Sequence, residues 1–329
     1  MGTGYTVAII HSYTCAMADI KLFRVEAGKA HELPSRSVAI ERSLQELLEK
    51  HLSEFLSVRF LASEYSTGKT HGGRIDTLGL DEDGCPVIIE YKRSSDENVI
   101  NQGLYYLDWL MDHKAEFELL VQKRIGNEVA TDIDWSAPRL LCIAGDFNKF
   151  DEHAVYQIPR NISLLRYKRY DDNLLLLELV NASRNSSTMS FASRHSPPES
   201  SLSEPLRGKN EYAGFADLLS LCSSELHNLW LTIDDYLKSL GDEVQVNQRK
   251  YYVAYRRMKN FAAVEVHPKA GFHAIFVKVD PSSITLEPNF TRDVSDIGHY
   301  GTGDLEIRIR NIDDLEKAKP YIIRSYEEN

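Results

Sequence analysis

The fold of this chain is decided by Gly73-Arg74-Ile75-Asp76, then by the acidic turn Asp81-Glu82-Asp83-Gly84, and then by Ile88-Ile89-Glu90-Tyr91-Lys92. Apolar, β-prone residues flank the acidic tetrapeptide, and a short polar run that ends in glycine is typical of a turn. The stretch therefore predicts a β-hairpin with arms over 74–80 and 86–91. The turn brings the outer ends of both arms, and the acids on them, back toward each other.

Three charged side chains of this hairpin predict its chemistry. Alternate residues of a strand share a face, so Glu90 and Lys92 are expected on one face and Tyr91 on the other. A carboxylate at the end of an apolar strand is costly without a partner, and a second one from Asp76 adds repulsion. Lys92 can offset only one of these two charges.

A divalent cation resolves this conflict, because Mg²⁺ or Mn²⁺ prefers oxygen ligands and tolerates two carboxylates beside water and phosphate. The pattern thus predicts a metal held by Asp76 and Glu90. Lys92 would orient or help to deprotonate an attacking water and would stabilise the charge of the transition state. Taken alone, the same three residues also fit a structural acid–lysine pair in an ordinary hairpin.

The elements around the hairpin predict an α/β region with a mixed sheet. They are a helix over 38–56, a strand over 59–65, a long helix over 98–121, a strand over 139–144 and a second hairpin over 163–170 and 174–180. Gln102 and Tyr106 are spaced to share one face of the long helix. Three acids, Glu41, Glu46 and Glu49, lie on the first helix.

These elements together resemble the PD-(D/E)xK nuclease superfamily. The stretches Gly73–Asp76 and Glu90–Lys92 and the Gln102–Tyr106 spacing are similar to its RecB-like branch, and Glu41–Leu48 is similar to the NucS/EndoMS mismatch endonucleases. The resemblance covers residues 38–145 and implies a restriction-endonuclease-like mixed sheet flanked by helices. It departs in domain order, because those mismatch endonucleases carry their DNA-binding domain before the nuclease core. Mismatch specificity is therefore not carried over.

The resemblance also implies roles for individual residues. Asp76 and Glu90 would be metal ligands and Lys92 the catalytic lysine. Glu41 would be the first-helix acid that supports the metal or its water, with Glu46 and Glu49 as the alternatives. Gln102 would help to position the site. The implied activity is a Mg²⁺- or Mn²⁺-dependent deoxyribonuclease, an endonuclease acting in phage defence, restriction or repair.

The segment Ser66-Thr67-Gly68-Lys69-Thr70 ends like a phosphate-binding loop, but position 63 is serine where that motif requires glycine. It also precedes a strand and not a helix, which argues against nucleotide binding. We interpret it as a loop beside the site, from which Lys69, His71 and Arg74 contact phosphate. Tyr106 completes this set of expected nucleic-acid contacts.

A run rich in serine and proline over 182–210 predicts a flexible linker. It divides the chain into a nuclease-like domain over 17–181 and a C-terminal α+β domain over 211–329. The latter resembles a domain of unknown function that is found fused to such nuclease cores in prokaryotes. Residues 1–16 are expected to be a non-essential extension.

Two features of the C-terminal region leave alternatives open. Bases and aromatics alternate over 249–261, where Arg256 and Arg257 are candidate nucleic-acid contacts. The alternative is a strand with an aromatic core face and a solvated basic face. The glycine-rich loop over 293–304 is either a binding loop or a structured turn that needs glycine for positive φ.

Composition limits the partners. The net charge of −11 excludes a broadly basic surface, so contact with DNA, or with RNA as the other polynucleotide, requires local basic patches and metal ions. The four cysteines form no CxxC pair, which is typical of a reduced cytoplasmic chain. No apolar run is long enough to predict a membrane span. A homodimer is expected, and a non-catalytic nucleic-acid- or ligand-binding protein is the alternative function.

Overall fold

The structure is a computed structural model that describes residues 20–36, 41–92, 98–171, 173–182 and 214–329. We call residues 20–182 the N-terminal half and residues 214–329 the C-terminal half. The expected extension over 1–16 and nearly all of the expected linker over 182–210 lie outside these ranges. The division into two domains at that linker stays a prediction.

The N-terminal half is built on a mixed sheet. Its elements are β1 (Leu22–Glu26), β2 (Lys29–Leu33), β3 (Ser35–Arg36), α1 (Glu41–Lys50), α2 (Leu52–Leu56), β4 (Val58–Ser66), α3 (Gly68–His71), β5 (Arg74–Asp81), β6 (Pro86–Lys92), α4 (Val99–Asp112), α5 (Lys114–Arg124), α6 (Asn127–Thr131), β7 (Arg139–Ala144), α7 (Lys149–Gln157), β8 (Asn161–Tyr170) and β9 (Leu174–Ala182). The sheet order is β3-β8-β7-β6-β5-β4, and β9 pairs with β8. A separate hairpin of β1 and β2 was not expected from the sequence.

Parallel pairing in the middle of this sheet explains its apolar strands. β6 pairs parallel with β7, and β7 pairs parallel with β8, while the other pairs are antiparallel. Parallel strands need a crossover and are covered on both faces. Leu44 and Leu48 of α1 pack on one face with Ile89, and α4 packs on the other face against Ile88 and Leu140. The predicted α/β fold with a mixed sheet is confirmed.

The long helix expected over 98–121 is interrupted. α4 ends at Asp112 and α5 begins at Lys114. The backbone of His113 leaves the helical region, its ring stacks on Trp109, and its Nδ1 lies 2.8 Å from the Trp109 carbonyl oxygen. Apolar periodicity continues across this break because both helices pack against the same sheet face, which is why the sequence predicted one helix.

The C-terminal half is an antiparallel sheet with helices on one face. Its elements are α8 (Phe215–Ser220), α9 (Ser224–Ser239), β10 (Gln245–Gln248), β11 (Tyr252–Arg256), β12 (Asn260–His267), β13 (Phe272–Val277), a short 3-10 helix (Pro281–Ser283), β14 (Thr291–Asp293), β15 (Leu305–Ile309) and α10 (Ile312–Glu328). The strand order is β10-β11-β12-β13-β15-β14. The predicted α+β class is confirmed. α8 and α9 are separate helices, and the Ser223 hydroxyl caps α9 by accepting from the Leu226 amide.

The glycine-rich loop covers the second face of this sheet. Gly301 has φ +86°, and a Cβ there would lie 2.5 Å from the Cβ of Ala263. His299 stacks on Phe276, with ring centroids 4.4 Å apart. The Tyr300 amide donates to Glu265. These contacts favour the structured turn over the binding loop, because the glycines are needed for close packing.

Across the ranges that the structure describes, no helix combines the length and apolar character that crossing a bilayer requires.

Candidate active site

The predicted hairpin is formed by β5 and β6, whose antiparallel ladder runs from Leu80 and Pro86 at the turn to Thr77 and Ile89. Its arms, Arg74–Asp81 and Pro86–Lys92, are each one residue longer at the end than predicted from the sequence. The next two residues beyond the ladder are Asp76 on β5 and Glu90 on β6, so the two acids lie where the paired strands separate.

The carboxylates of Asp76 and Glu90 take over hydrogen bonds at this end of the hairpin. The Asp76 amide donates to Glu90 Oε1 over 3.3 Å. The Tyr91 amide donates to Asp76 Oδ2 over 2.9 Å. Each acid therefore contacts the backbone of the other strand, which holds the two side chains close together and fixes their orientation.

Burial makes the charge on Glu90 costly. The side chain is fully buried, and its Oε2 has no hydrogen-bond partner in the described surroundings. Burial above all, and then the negative charge of Asp76, raises the pKa of Glu90 to about 9, while the charge of Lys92 acts in the opposite direction. Asp76 and Lys92 make further polar interactions of their own. Among the described residues, Glu90 is thus a buried acid whose Oε2 atom has no hydrogen-bond partner.

Strand register separates the faces as predicted. Glu90 pairs with Cys142 and Lys92 with Ala144 on the parallel strand β7, and both partners belong to the core under α4. Tyr91 packs in the other core, with the leucines of α1 and α2. Glu90 and Lys92 therefore share the α4 side of the sheet. The acid pair and the lysine lie on neighbouring positions of one sheet edge.

These residues fit a hard divalent cation. The carboxylates of Asp76 and Glu90 lie together, and the buried Oε2 atom of Glu90 has no hydrogen-bond partner among the described residues. Because Mg²⁺ and Mn²⁺ take oxygen ligands, Asp76 and Glu90 would hold the ion. Among the side chains that can be described, no cluster of three or more His, Cys, Asp or Glu is arranged for a metal. The side chain of Glu41 lies outside that set.

The other two first-helix acids have separate partners. Glu46 is exposed and pairs with Arg42 on its own helix, 3.0 Å away. Glu49 accepts from the hydroxyl of Thr77 and from Gln45. The Thr77 hydroxyl also lies 3.4 Å from the Tyr91 hydroxyl, which places Glu49 on the face of the sheet opposite Glu90. Neither alternative to Glu41 is directed at the acid pair.

Two residues near the site were missed from the sequence. Gln45 is buried, and its amide nitrogen donates to the Asp76 carbonyl oxygen over 2.9 Å and to Ser63 Oγ over 3.2 Å. Its position four residues after Glu41 and four before Glu49 was the available signal, since residues at that spacing share a helix face. Gln45 thus ties α1 to the backbone of a predicted ligand.

The second missed residue is Glu64. Ser63 pairs with Thr77 and Tyr65 with Ile75, so Glu64 lies opposite Asp76 on the edge strand β4. Its φ is +52°, a left-handed conformation that costs free energy in a non-glycine residue and is concentrated at functional sites. Arg74 pairs with Glu64 at 3.0 Å. The negative charge of Glu64 further raises the pKa of Glu90.

Gln102 and Tyr106 act on the start of β5. The Tyr106 hydroxyl accepts from the Arg74 amide over 3.1 Å and from the Gln102 side chain over 3.4 Å. A Cβ at Gly73 would lie only 2.5 Å from the Tyr106 ring, so glycine lets the strand approach α4 closely. Gln102 and Tyr106 lie together, as their spacing predicted. They contact the start of β5, the strand that carries Asp76, and not Asp76 itself.

The expected phosphate contacts divide into surface and interior residues. Lys69 and Arg74 are exposed beside the start of β5, and His71 is half-buried against Tyr105. Tyr106, in contrast, is buried and its hydroxyl is used by Arg74. This corrects the expectation that Tyr106 touches nucleic acid, because its ring has no accessible face for a base or phosphate.

The basic and aromatic run over 249–261 is largely internal. Arg256 is buried and pairs with Asp81 of the N-terminal half at 3.2 Å, which corrects its expected role as a nucleic-acid contact. Arg257 is half-exposed, but its guanidinium pairs with Glu243 at 2.9 Å and lies over the Tyr326 ring. The core-strand alternative describes this run better than a nucleic-acid patch.

The C-terminal half is similar to a known family model. A family model described as "Domain of unknown function (DUF5655)" matches residues 220–329. This agrees with the expectation of a C-terminal domain of unknown function. A Haemophilus influenzae protein described as uncharacterized is 27% identical over 301 residues, covering 90% of this chain and 96% of that protein. That match extends through both halves, since neither half alone reaches this coverage.

One solved structure, described as "Structure of EndoMS-dsDNA2 complex", is similar over 40% of this chain with 17% identity and a TM-score of 0.23. The match spans 47% of that protein, so it concerns about half of its length. A TM-score this low is too small to support an inference about activity.

Proposed function

We propose that this protein is a Mg²⁺- or Mn²⁺-dependent nuclease that hydrolyses phosphodiester bonds of DNA at Asp76, Glu90 and Lys92. The observation that carries the proposal is the acid pair at the open end of the β5–β6 hairpin. One carboxylate oxygen of Glu90 is buried without a partner, and the neighbouring charge of Asp76 increases the cost. Such an arrangement is stabilised when a cation binds between the acids.

The ion would be held by Asp76 and Glu90, and when bound it supplies electrostatic stabilisation of a phosphate and a lowered pKa for a coordinated water. The residues of the chain have separate tasks. Backbone hydrogen bonds from Asp76 and Tyr91 orient the two carboxylates before substrate arrives. Lys92, on the same face as Glu90, presents a positive charge to the negative charge that develops on phosphate.

Basic groups around the start of β5 support a polynucleotide as the substrate. Lys69 lies on α3 and Arg74 begins β5, two residues before Asp76, and both are exposed. Phosphate contacts of this kind position a nucleic acid without reading its sequence. The net charge of −11 makes such a local patch more important, because the rest of the surface repels the substrate.

The alternative of a non-catalytic nucleic-acid-binding protein required an exposed basic and aromatic surface in the C-terminal half. It relied on the run over 249–261, and there Arg249, Tyr252 and Arg256 are buried. Lys250 and Tyr251 keep some accessible surface, but most of the run is no longer available to stack bases or contact phosphate. The enzyme is therefore the better reading of the geometry.

The test uses purified full-length protein with plasmid DNA, single-stranded DNA and RNA in Mn²⁺ or Mg²⁺. Asp76→Asn, Glu90→Gln and Lys92→Met should each reduce cleavage by about 10³-fold or more, since each removes a group that acts on the reacting phosphate. Asp108→Asn, an exposed acid on α4, is the matched control and should leave the rate unchanged.

Calorimetric titration with Mn²⁺ gives an independent measurement of the same site. Wild type should take up Mn²⁺, whereas Asp76→Asn and Glu90→Gln should not. If wild type and the three variants cleave equally, the activity comes from a contaminant or another site, and the assignment is wrong.

A further inference from the structure

The turn of the β5–β6 hairpin is buried in the C-terminal half. Asp81 Oδ1 accepts from the amides of Asp83 and Cys85, at 3.1 Å and 2.8 Å, which closes the turn. Its Oδ2 accepts from Arg139 of β7 at 3.3 Å and from Arg256 of β11 at 3.2 Å. All three charged side chains are buried. One carboxylate thus joins the turn, the neighbouring strand and the other half of the chain.

Asp83 is also held by residues of the C-terminal half. Its Oδ1 accepts from the Tyr252 hydroxyl and from the Asn260 amide group, each at 2.8 Å. Arg249 donates to the Asp83 carbonyl oxygen at 2.8 Å and pairs with Asp134 at 3.2 Å. β11, β12 and Arg249, which lies between β10 and β11, therefore contact both the side chain and the backbone of the turn.

Glu82 completes the contact. It pairs with Lys278 at 2.6 Å and accepts from the backbone amide of Asn260 at 2.6 Å. Among the described residues, this cluster contains four acids and four cations. The acids are Asp81, Glu82, Asp83 and Asp134, and the cations are Arg139, Arg249, Arg256 and Lys278. Three of the four cations come from the C-terminal half. Removing one partner of a buried pair leaves an uncompensated charge, which is strongly destabilising.

This cluster lies at the opposite end of the hairpin from the candidate site. Asp81 follows Asp76 by five residues on one strand, a separation of about 16 Å at the usual rise per residue. The turn sets the register of β5 against β6, and a slip of one residue would move every side chain to the other face. Fixing the turn therefore fixes Asp76 opposite Glu90.

We propose that Arg256 is a positioning residue for the candidate site, and that the C-terminal half is an obligate support of the hairpin. Arg256 acts through Asp81 and the turn, and it does not touch substrate. The consequence for metal binding rests on the proposed nuclease function. The coupling of the two halves does not, because it follows from the buried cluster alone.

The experiment compares full-length Arg256→Met with Arg257→Met. Arg257 is the adjacent residue and is also held by an acid, but that acid is Glu243 within the C-terminal half. Wild type and Arg257→Met should unfold in one calorimetric transition that includes both halves. Arg256→Met should unfold in two transitions, because the contact that joins the halves is weakened.

Hydrogen–deuterium exchange then reports on the site without any metal. The amides of Asp76 and Tyr91 are protected by carboxylates across the hairpin. In Arg256→Met their exchange should be about tenfold faster or more, since local opening becomes easier. In Arg257→Met it should change less than about twofold, as expected of an outward-facing ion pair. A purely local role for Arg256 would not affect amides this far along the strands.

If Arg256→Met does not fold, Arg256→Lys replaces it, because lysine keeps the charge and loses the planar fork of donors. Two unfolding transitions in wild type, or unchanged exchange at Asp76 and Tyr91 in the Arg256 variant, would overturn the proposal. Absence of Mn²⁺ uptake by wild type would instead refute the nuclease function and leave these two measurements decisive for the coupling. With uptake confirmed, Arg256→Met should weaken Mn²⁺ binding by about tenfold.

Discussion

The β5–β6 hairpin carries acidic residues at both of its ends, and the two groups of acids have different surroundings. At the turn, Asp81 and Asp83 contact Arg139, Arg249 and Arg256 as well as neutral donors. At the open end, Asp76 and Glu90 each accept from a backbone amide of the other strand, Asp76 has further polar interactions, and one oxygen of Glu90 has no described partner. The acids at the turn are therefore paired with arginines, whereas Glu90 at the open end keeps one oxygen without a described partner.

The partners of these acids distinguish the two ends of the hairpin more clearly than their burial does. Burial raises the pKa of Asp83 as well as that of Glu90, and in both a neighbouring aspartate adds to the effect. A raised pKa thus does not distinguish them. The distinction lies in the partners, because the turn acids are bound by arginines that the fold itself supplies. The open end has the lysine Lys92, and the side chains of Asp76 and Lys92 are partly exposed there.

The largest expected effect concerns the compensated end. Asp81→Ala removes the carboxylate that pairs with Arg139 and Arg256 and that closes the turn. The two buried guanidinium groups would lose the acid closest to them, so we expect the free energy of unfolding to fall by about 3 to 5 kcal/mol. Urea unfolding followed by circular dichroism measures it. Asp108→Ala, an exposed acid of the same half, should change it little, and an equal loss in both variants would contradict the comparison.

At the open end the expected change has the opposite sign. With a chelator present, Glu90→Gln should be more stable than wild type at pH 8 by on the order of 2 kcal/mol, because a buried acid with a raised pKa is removed. Addition of Mn²⁺ should reverse the order, since a ligand at about 100 times its Kd stabilises the protein that binds it by about 3 kcal/mol. A destabilised Glu90→Gln in the chelator would show that Glu90 is structural.

The same shift predicts a pH dependence. Between the ordinary Glu value of 4.5 and the raised pKa of about 9, folded Glu90 holds a proton that the unfolded chain has released. The folded state binds more protons in this window, so its stability should fall as pH rises. Unfolding in chelator at several pH values should show this slope in wild type and a flatter one in Glu90→Gln. Parallel slopes in the two proteins would refute the assignment.

Sequence reasoning succeeded where the determinants are local. The hairpin arms, the acidic turn and the proximity of Asp76 and Glu90 follow from strand propensity and one turn. The partner of the turn could not be found that way, because Arg256 is 175 positions from Asp81 and resembled a surface base among aromatics. The inward direction of Tyr106 was missed for a similar reason. Helical spacing predicts which residues share a face, and only the packing of α4 shows what that face meets.

The smallest expected effect concerns that helix. Tyr106→Phe removes the hydroxyl that accepts from the Arg74 amide and the Gln102 side chain, and it keeps the ring that packs against Gly73. The loss of one such hydrogen bond should cost about 1 kcal/mol of stability. Tyr105→Phe is the matched control, because that neighbouring ring is exposed and its hydroxyl donates to the His71 carbonyl oxygen instead.

The two tyrosine variants also sharpen the comparison between the hairpin ends. If the open end is held through Arg74, cleavage by Tyr106→Phe should fall several-fold more than cleavage by Tyr105→Phe, with a larger change in kcat than in KM. Since a buried ring that touches no substrate can act only through position, equal kinetics in the two variants would mean that α4 does not set the geometry of Asp76. The turn and its arginines would then be the principal support of the site.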